Sequence, residues 1–232
     1  MGHHALQSIR AHQPIAEMAR CYIYVVDRDF GFAPNPFHGV CTLATCKPQI
    51  RHRAAIGDWV IGMGGKRLRA TGRCIFAMRV SATMSFGEYW SAPQFSKKRP
   101  VRNGSRKMMV GDNIYHRNPD SGEWCQEDSH HSMPDGSANA HNVRNDTQAD
   151  RVLVSDHFLY FGDAAPEVPK RILDAIGYRN GRFYRVFGVE QCEPLLKWLV
   201  DSYGSSFNQV LGDPCDFERS GRRYSAENNK IQ

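Results

Sequence analysis

Apolar residues fall into short blocks separated by glycine and proline, a rhythm that predicts more strand than helix. Cys21 to Val26 (CYIYVV) alternates aromatic and β-branched residues as a strand does. The following DRDFGFAPNPF excludes regular structure through Gly31, Pro34 and Pro36. A short apolar block over 39–44 precedes a helical turn within 50–56 and a buried strand over 58–63, entered from a Gly57-Asp58 turn and ended by Gly64-Gly65. Residues 74–83 (CIFAMRVSAT) form a second long strand candidate. Periodicity then fades from Ser91 to Asp150, where only 108–110 and 113–115 look ordered. Strands return over 152–155, 158–161 and 183–189. The clearest helix runs from Gln191 to Tyr203, with Cys192, Leu195, Leu196, Leu199 and Tyr203 on one face and Gly204 as its stop.

These elements predict an α+β fold with a compact β-barrel core and short helices. The organisation expected is a flexible extension over 1–20, a single domain over 21–210 and a frayed tail over 211–232. Within the domain, 91–150 is too long for an ordinary connection and reads as a lid, a binding loop or a partly disordered insertion. The order GDWVIGM, glycine-rich turn, IFAMRVSAT, then SFGEYW is similar to PUA-like domains, including the EVE and YTH branches.

Composition narrows the class. Hydrophobic residues make up 41% of the 232 and charged ones 23%, with a mean hydropathy of −0.53, as in water-exposed globular chains. No run approaches the roughly 20 apolar residues of a membrane span, and residues 1–20 hold no apolar leader core. A cytoplasmic protein with no membrane partner is expected, its start at Met1 or Met18. Seven scattered cysteines then read as thiols, ligands or nucleophiles rather than a disulfide framework.

The net charge of +6 is unevenly spread. Residues 47–107 carry 14 Lys/Arg against two acids, and 108–150 carry eight acids against two Lys/Arg. Arg51 and Arg53, with Lys97, Lys98, Arg99, Arg102, Arg106 and Lys107 in an extended loop, are candidates for tracking the phosphates of duplex DNA. A solvated surface balanced by the acidic stretch is the other reading.

A second resemblance rests on particular residues. Asp29 to Phe37 (DFGFAPNPF), Cys41 to Pro48 (CTLATCKP), Gly57-Asp58-Trp59, Gly111 to His116 (GDNIYH), Ser155 to Phe158 (SDHF) and Tyr160-Phe161-Gly162 resemble the bacterial family called nucleotide modification associated domain, type two. The likeness spans Tyr22 to Pro169. It implies a place in gene clusters that make or police hypermodified DNA bases, 7-deazaguanine systems among them, with the other proteins of such a cluster as partners.

The pair Cys41 and Cys46, spaced C-x4-C, leaves three readings open: buried core thiols, a zinc site completed from His116, Cys125, His130, His131 or His157, or a nucleophile. The zinc reading is weak in spacing, and no cofactor is expected. Lys47, Arg51, His52 and Arg53 follow Cys46 and favour a thiolate by their charge. Cys46 or Cys41 is therefore the candidate nucleophile, with Asp112, His116, Asp156 and His157 as candidate proton-transfer groups. Phe32, Asn35, Lys47, Trp59, Asn113, Tyr115 and Ser155 are candidates for holding a base by stacking and edge recognition. In the setting the resemblance implies, thiolate plus acid points to hydration of 7-cyano-7-deazaguanine in DNA to its 7-amido form. The alternatives are a non-catalytic reader that flips and binds a modified base and an enzyme of free nucleotides.

Overall fold

The computed structural model describes residues 19–231. In chain order the elements are β1 (Arg20–Val26), β2 (Cys41–Leu43), α1 (Pro48–Arg53), β3 (Trp59–Gly64), β4 (Cys74–Arg79), β5 (Ala82–Met84), α2 (Phe86–Ser91), α3 (Arg106–Met109), β6 (Tyr115–Arg117), β7 (Trp124–Gln126), α4 (Ala140–Asp146), β8 (Val152–Ser155), β9 (Phe158–Tyr160), α5 (Lys170–Ile176), β10 (Tyr184–Gly188), α6 (Val189–Tyr203), β11 (Gln209–Val210), β12 (Tyr224–Ser225) and β13 (Lys230–Ile231). None of these helices is long and apolar enough to cross a membrane.

Six strands form one mixed sheet in the order β10-β1-β3-β4-β9-β11. β1 and β3 pair in parallel, with Tyr22 opposite Val60 and Tyr24 opposite Gly62. Their residues form continuous rather than alternating apolar runs, as expected for strands covered on both faces. Gly62 is required at its place, because a Cβ there would meet the Phe76 ring directly across the β3–β4 pair. A smaller sheet, β2-β8-β5, lies alongside. Val80-Ser81 joins β4 to β5 and Asp156-His157 joins β8 to β9. Ser81 N–H donates to Val154 O at 2.9 Å and Arg79 N–H to His157 O at 3.0 Å. One bent antiparallel ribbon therefore runs through both sheets.

The fold is α+β, but among the described residues the sheet stays open, with β10 and β11 as its edges. That corrects the expected closed barrel: the parallel β1/β3 pair lies inside an open mixed sheet on which α5 and α6 pack, and a PUA-like core is not established. One core lies on the large sheet, where Cys192, Leu195 and Leu199 of α6 and Ile172 and Ile176 of α5 join the strands. A second gathers Phe30, Phe32, Phe37, Phe86, Tyr89, Ile114 and Tyr115 with Val152 and Val154.

The 91–150 stretch supplies much of the second core and contains α3, β6, β7 and α4. Side-chain hydrogen bonds replace apolar periodicity there. Asn139 caps α4 by accepting from the His141 and Asn142 N–H groups, and the Asn113 amide donates to Tyr89 O. The segment after residue 210 packs back on the domain. Asp216 N–H donates to Asp29 O at 2.7 Å and Tyr224 N–H to His130 O at 2.7 Å. The extension expected over 1–20 lies almost wholly outside the described residues.

Candidate functional site

Between the two layers opens a cleft of about 540 Å³, within the usual range for a small-ligand site. Tyr24, Phe30, Phe32 and Tyr224 give it aromatic walls, and Cys46, Lys47 and His131 also line it.

Cys46 sits where the chain leaves β2 and enters α1. Both Cys46 (φ +57) and Lys47 (φ +39) occupy the left-handed region, at a cost of roughly 1–3 kcal/mol each for non-glycine residues. Pro48 then starts α1 at a position where its missing N–H costs nothing. The strained turn is held from both sides. Cys46 N–H donates to Asp146 Oδ1 at 2.8 Å, and Arg51 Nε donates to Cys46 O at 2.8 Å.

His131 comes from the turn after β7 and Asp146 from the end of α4. The half-buried Cys46 Sγ lies 3.7 Å from His131 Nε2, and His131 Nδ1 lies 2.7 Å from Asp146 Oδ2. A carboxylate only accepts, so Nδ1 carries the proton and Nε2 faces the sulfur. Tyr115 OH donates to the same Oδ2 at 2.9 Å. Arg51 donates to Asp146 O, and to Ala149 O and Arg151 O at 2.6 Å each. Thiol, imidazole and carboxylate thus gather in one cluster, braced by a phenol and a guanidinium.

The electrostatics follow from burial and these partners. Burial works against a charged His131, yet the Asp146 carboxylate and the Cys46 sulfur raise it to about 10. Burial alone would raise Asp146; the His131 cation, Arg51 and the Cys46 N–H more than offset it and hold the carboxyl below its ordinary value. His130 behaves oppositely: burial and the neighbouring His131 charge lower it to about 3. Its Nδ1 lies 2.7 Å from Arg222 O, to which it donates as a neutral ring.

Cys46, His131 and Asp146 are also the group whose ligand atoms cluster closely enough to hold a metal ion among the described residues. Sγ, a ring nitrogen and a carboxylate oxygen lie within 4.8 Å of one another, and the carboxylate already accepts from the Cys46 N–H, the Tyr115 hydroxyl and His131 Nδ1. Three ligands fall one short of a structural four-ligand zinc centre, and the contacts among them are those of a proton relay. Cys41 and Cys125 do not join the cluster.

Of the residues singled out from the sequence, Cys46, Lys47 and Phe32, with the zinc candidates His130 and His131, line the cleft, while Tyr115 and Arg51 brace it from below. Phe32 packs 4.7 Å from the His131 ring. The remaining candidates lie elsewhere. Cys41 is fully buried against Met78, with burial pushing its thiol up to about 12. Asp112 is buried with Thr42 and Tyr89 and raised by burial to about 6. Asn35 and Lys98 complete that knot: Lys98 Nζ donates to Asn35, Val40 and Thr42 at 2.8–3.1 Å, and burial lowers it to about 8. Asn113 is committed to Tyr89 O. His116 stacks on Trp90 and pairs with Glu127. Trp59 and His157 pack with Phe207, Ser155 Oγ closes the turn to His157 O, and Asp156 stays exposed beside it.

The basic stretch expected to track phosphates is divided between inward-facing and exposed cations. Arg51 and Lys98 are buried. Arg99 donates to Trp90 O and covers that ring, Arg102 donates to Met109 O and Gly221 O, Arg106 pairs with Glu218, and Lys107 lies over Phe37. Arg53, Lys97, Arg106 and Lys107 remain exposed. Sequence reading named His131 only as a metal ligand and did not single out Asp146 or Tyr224. An acid in a polar stretch carries no local mark, although the His130-His131 doublet was visible.

The family model described as Nucleotide modification associated domain 2 matches residues 18–221. No curated protein and no solved structure matches the chain. The matched span contains Cys46, His131 and Asp146 and nearly all the described residues, so the chain belongs to the nucleotide modification associated domain 2 family, whose members serve nucleotide modification systems.

Proposed function

We propose that the protein is a thiol-dependent enzyme that acts on an electrophilic carbon carried by a modified nucleobase, with Cys46 as nucleophile. The observation that carries this reading is the contact of Cys46 with His131 and of His131 with Asp146, with the thiol and the imidazole lining an aromatic cleft. Asp146 fixes the imidazole so that Nε2 meets the sulfur, and His131 takes the thiol proton and returns it to the reacting group. The aromatic walls suit the flat face of a purine-like base.

The most concrete reaction is hydration of the nitrile of 7-cyano-7-deazaguanine to the amide. Cys46 Sγ bonds to the nitrile carbon as one π bond opens, and His131 gives its Nε2 proton to the nitrogen, leaving a thioimidate. His131 then takes a proton from water as the oxygen adds to the same carbon. As the C–S bond breaks and the thiolate returns, the proton on the added oxygen passes to the nitrogen, giving a primary amide with one water consumed. DNA is the expected carrier of the base in a restriction-modification setting.

A second reading, a reader that binds the modified base without changing it, is favoured by the same aromatic walls. Mass spectrometry of nucleosides from DNA containing 7-cyano-7-deazaguanine separates the two. Wild type should add one water to the modified nucleoside. Cys46→Ala should abolish the gain, and Asp146→Asn should slow it by about 100-fold or more, as loss of an orienting carboxylate does in such relays. Gain of water with loss of ammonia identifies full hydrolysis by the same thiol. Unchanged mass with tight binding, insensitive to Cys46→Ala, supports the reader. Conversion of the free nucleoside alone assigns the chemistry to free nucleotides.

A further inference from the structure

The turn between α5 and β10 carries a feature the thiol chemistry does not use. Phe183 forms one lip of the cleft and is 86% exposed, more than any other large apolar side chain among the described residues. Its backbone is at φ +65, a conformation bulky residues rarely adopt. The turn is anchored on both sides. The Asn180 amide donates to Gly64 O at 2.9 Å, and Arg179 Nη1 lies 3.8 Å from Asp174. Beyond the ring, Tyr184 pairs with Tyr24 across β10 and β1, and its hydroxyl accepts from Arg53 at 2.8 Å. The fold therefore holds an apolar ring out in water beside a cleft.

Positive charge frames that ring. Arg182 and Arg185 are exposed, and neither has an acidic partner among the described residues. Arg53 lies on the other flank, at a shallow depression of about 240 Å³ that it shares with His52 and Gln148. An exposed ring with arginines on both sides matches a stacked, anionic partner better than an apolar protein surface. A base inside a duplex also reaches a cleft only by leaving its stack, and the gap it leaves is stabilised by an inserted side chain.

We propose that Phe183 is a wedge that enters the base stack of duplex DNA, with Arg182, Arg185 and Arg53 on the flanking phosphates, while the displaced base enters the cleft. This deepens the reading above, which places a nucleobase against Cys46, by naming a polynucleotide as its carrier. It also moves the DNA surface from the 97–107 loop to the 179–185 turn.

The test uses the full chain and a short DNA duplex carrying 2-aminopurine, whose fluorescence rises when it is unstacked. Wild type should bind with steep salt dependence and raise the fluorescence. Phe183→Ala should weaken binding about tenfold or more and remove the rise, while Phe183→Trp keeps both. Arg182→Ala with Arg185→Ala should lower the slope of log affinity against log salt by roughly two. Unchanged binding and unstacking by Phe183→Ala would overturn the proposal, as would no duplex binding by wild type or tighter binding of the matching RNA duplex. Because the readout needs no turnover, the two proposals fail separately. Phe183-dependent unstacking with no Cys46 chemistry keeps the wedge, and Cys46-dependent turnover of free nucleosides with no duplex binding keeps only the thiol.

Discussion

His130 and His131 are neighbours in the chain, both buried, and pushed in opposite directions by what each ring faces. His131 gains the Asp146 carboxylate; His130 gains a carbonyl and lies among Phe30 and Phe32. Their linkage to folding therefore has opposite signs. His131, raised from its ordinary 6.5 to about 10, contributes stability that is complete below pH 6.5 and is lost as pH rises towards 10. His130, lowered from 6.5 to about 3, contributes stability that is complete above pH 6.5 and is lost as pH falls towards 3. Thermal midpoints measured across this range should peak near neutrality and decline on both sides. His131→Asn should flatten the alkaline decline and His130→Phe the acid one; an alkaline decline unchanged in His131→Asn would assign it to another group. Cys46 stood out in the sequence because basic residues surround it locally. His131 and Asp146 did not, because they lie 85 and 100 positions away and only the folding of 91–150 brings them to the thiol.

At the scale of elements, the strands were legible because their apolar blocks are short and bounded by glycine, and α6 because its apolar face repeats at helical spacing. The 91–150 stretch and the tail were not, since their order comes from polar side chains that bond backbone. Asn142 in α4 shows how. Its Nδ2 donates to His131 O at 2.7 Å and Tyr224 O at 2.6 Å, and its Oδ1 accepts the Ala226 N–H at 2.7 Å. One buried amide thus fixes the His131 turn and draws in the tail that brings Tyr224 to the cleft wall. Asn142→Ala leaves three backbone groups to find new partners, so a loss of about 3 kcal/mol is expected in urea unfolding. Faster proteolysis after residue 210 should accompany it. A full loss of stability with the tail as protected as in wild type would show that the clamp acts on the helix alone. The basic loop is divided for the same physical reason: Lys98 and Arg102 found carbonyls while Lys97, Arg106 and Lys107 stay exposed, and charge counted along a chain does not reveal which cations face water.

The whole molecule is two hydrophobic cores joined by one bent ribbon, β4–β5 against β8–β9, and the cleft opens where they meet. The barrel expectation missed this because a local strand order does not specify whether a sheet closes. Closure depends on the parallel β1/β3 pairing and on β10 and β11 arriving from the far end of the chain. A shared ribbon means that neither core can lose its strands without exposing the other, so unfolding should be a single transition. Trp59 belongs to the first core and Trp124 packs on the second. Proteins keeping only one of these as the sole tryptophan should give superimposable urea curves. Leu159→Ala in the first core and Ile114→Ala in the second should each lower that common midpoint, by about 2–5 kcal/mol of stability. Alkylation of Cys46 by iodoacetamide adds a site-level readout, since the strained turn and its Asp146 brace persist only while both layers hold. Two separated midpoints, with Trp124 reporting the earlier one, would mean that the layer carrying His131 and Asp146 opens by itself. The triad would then assemble and dissolve while the large sheet stays folded.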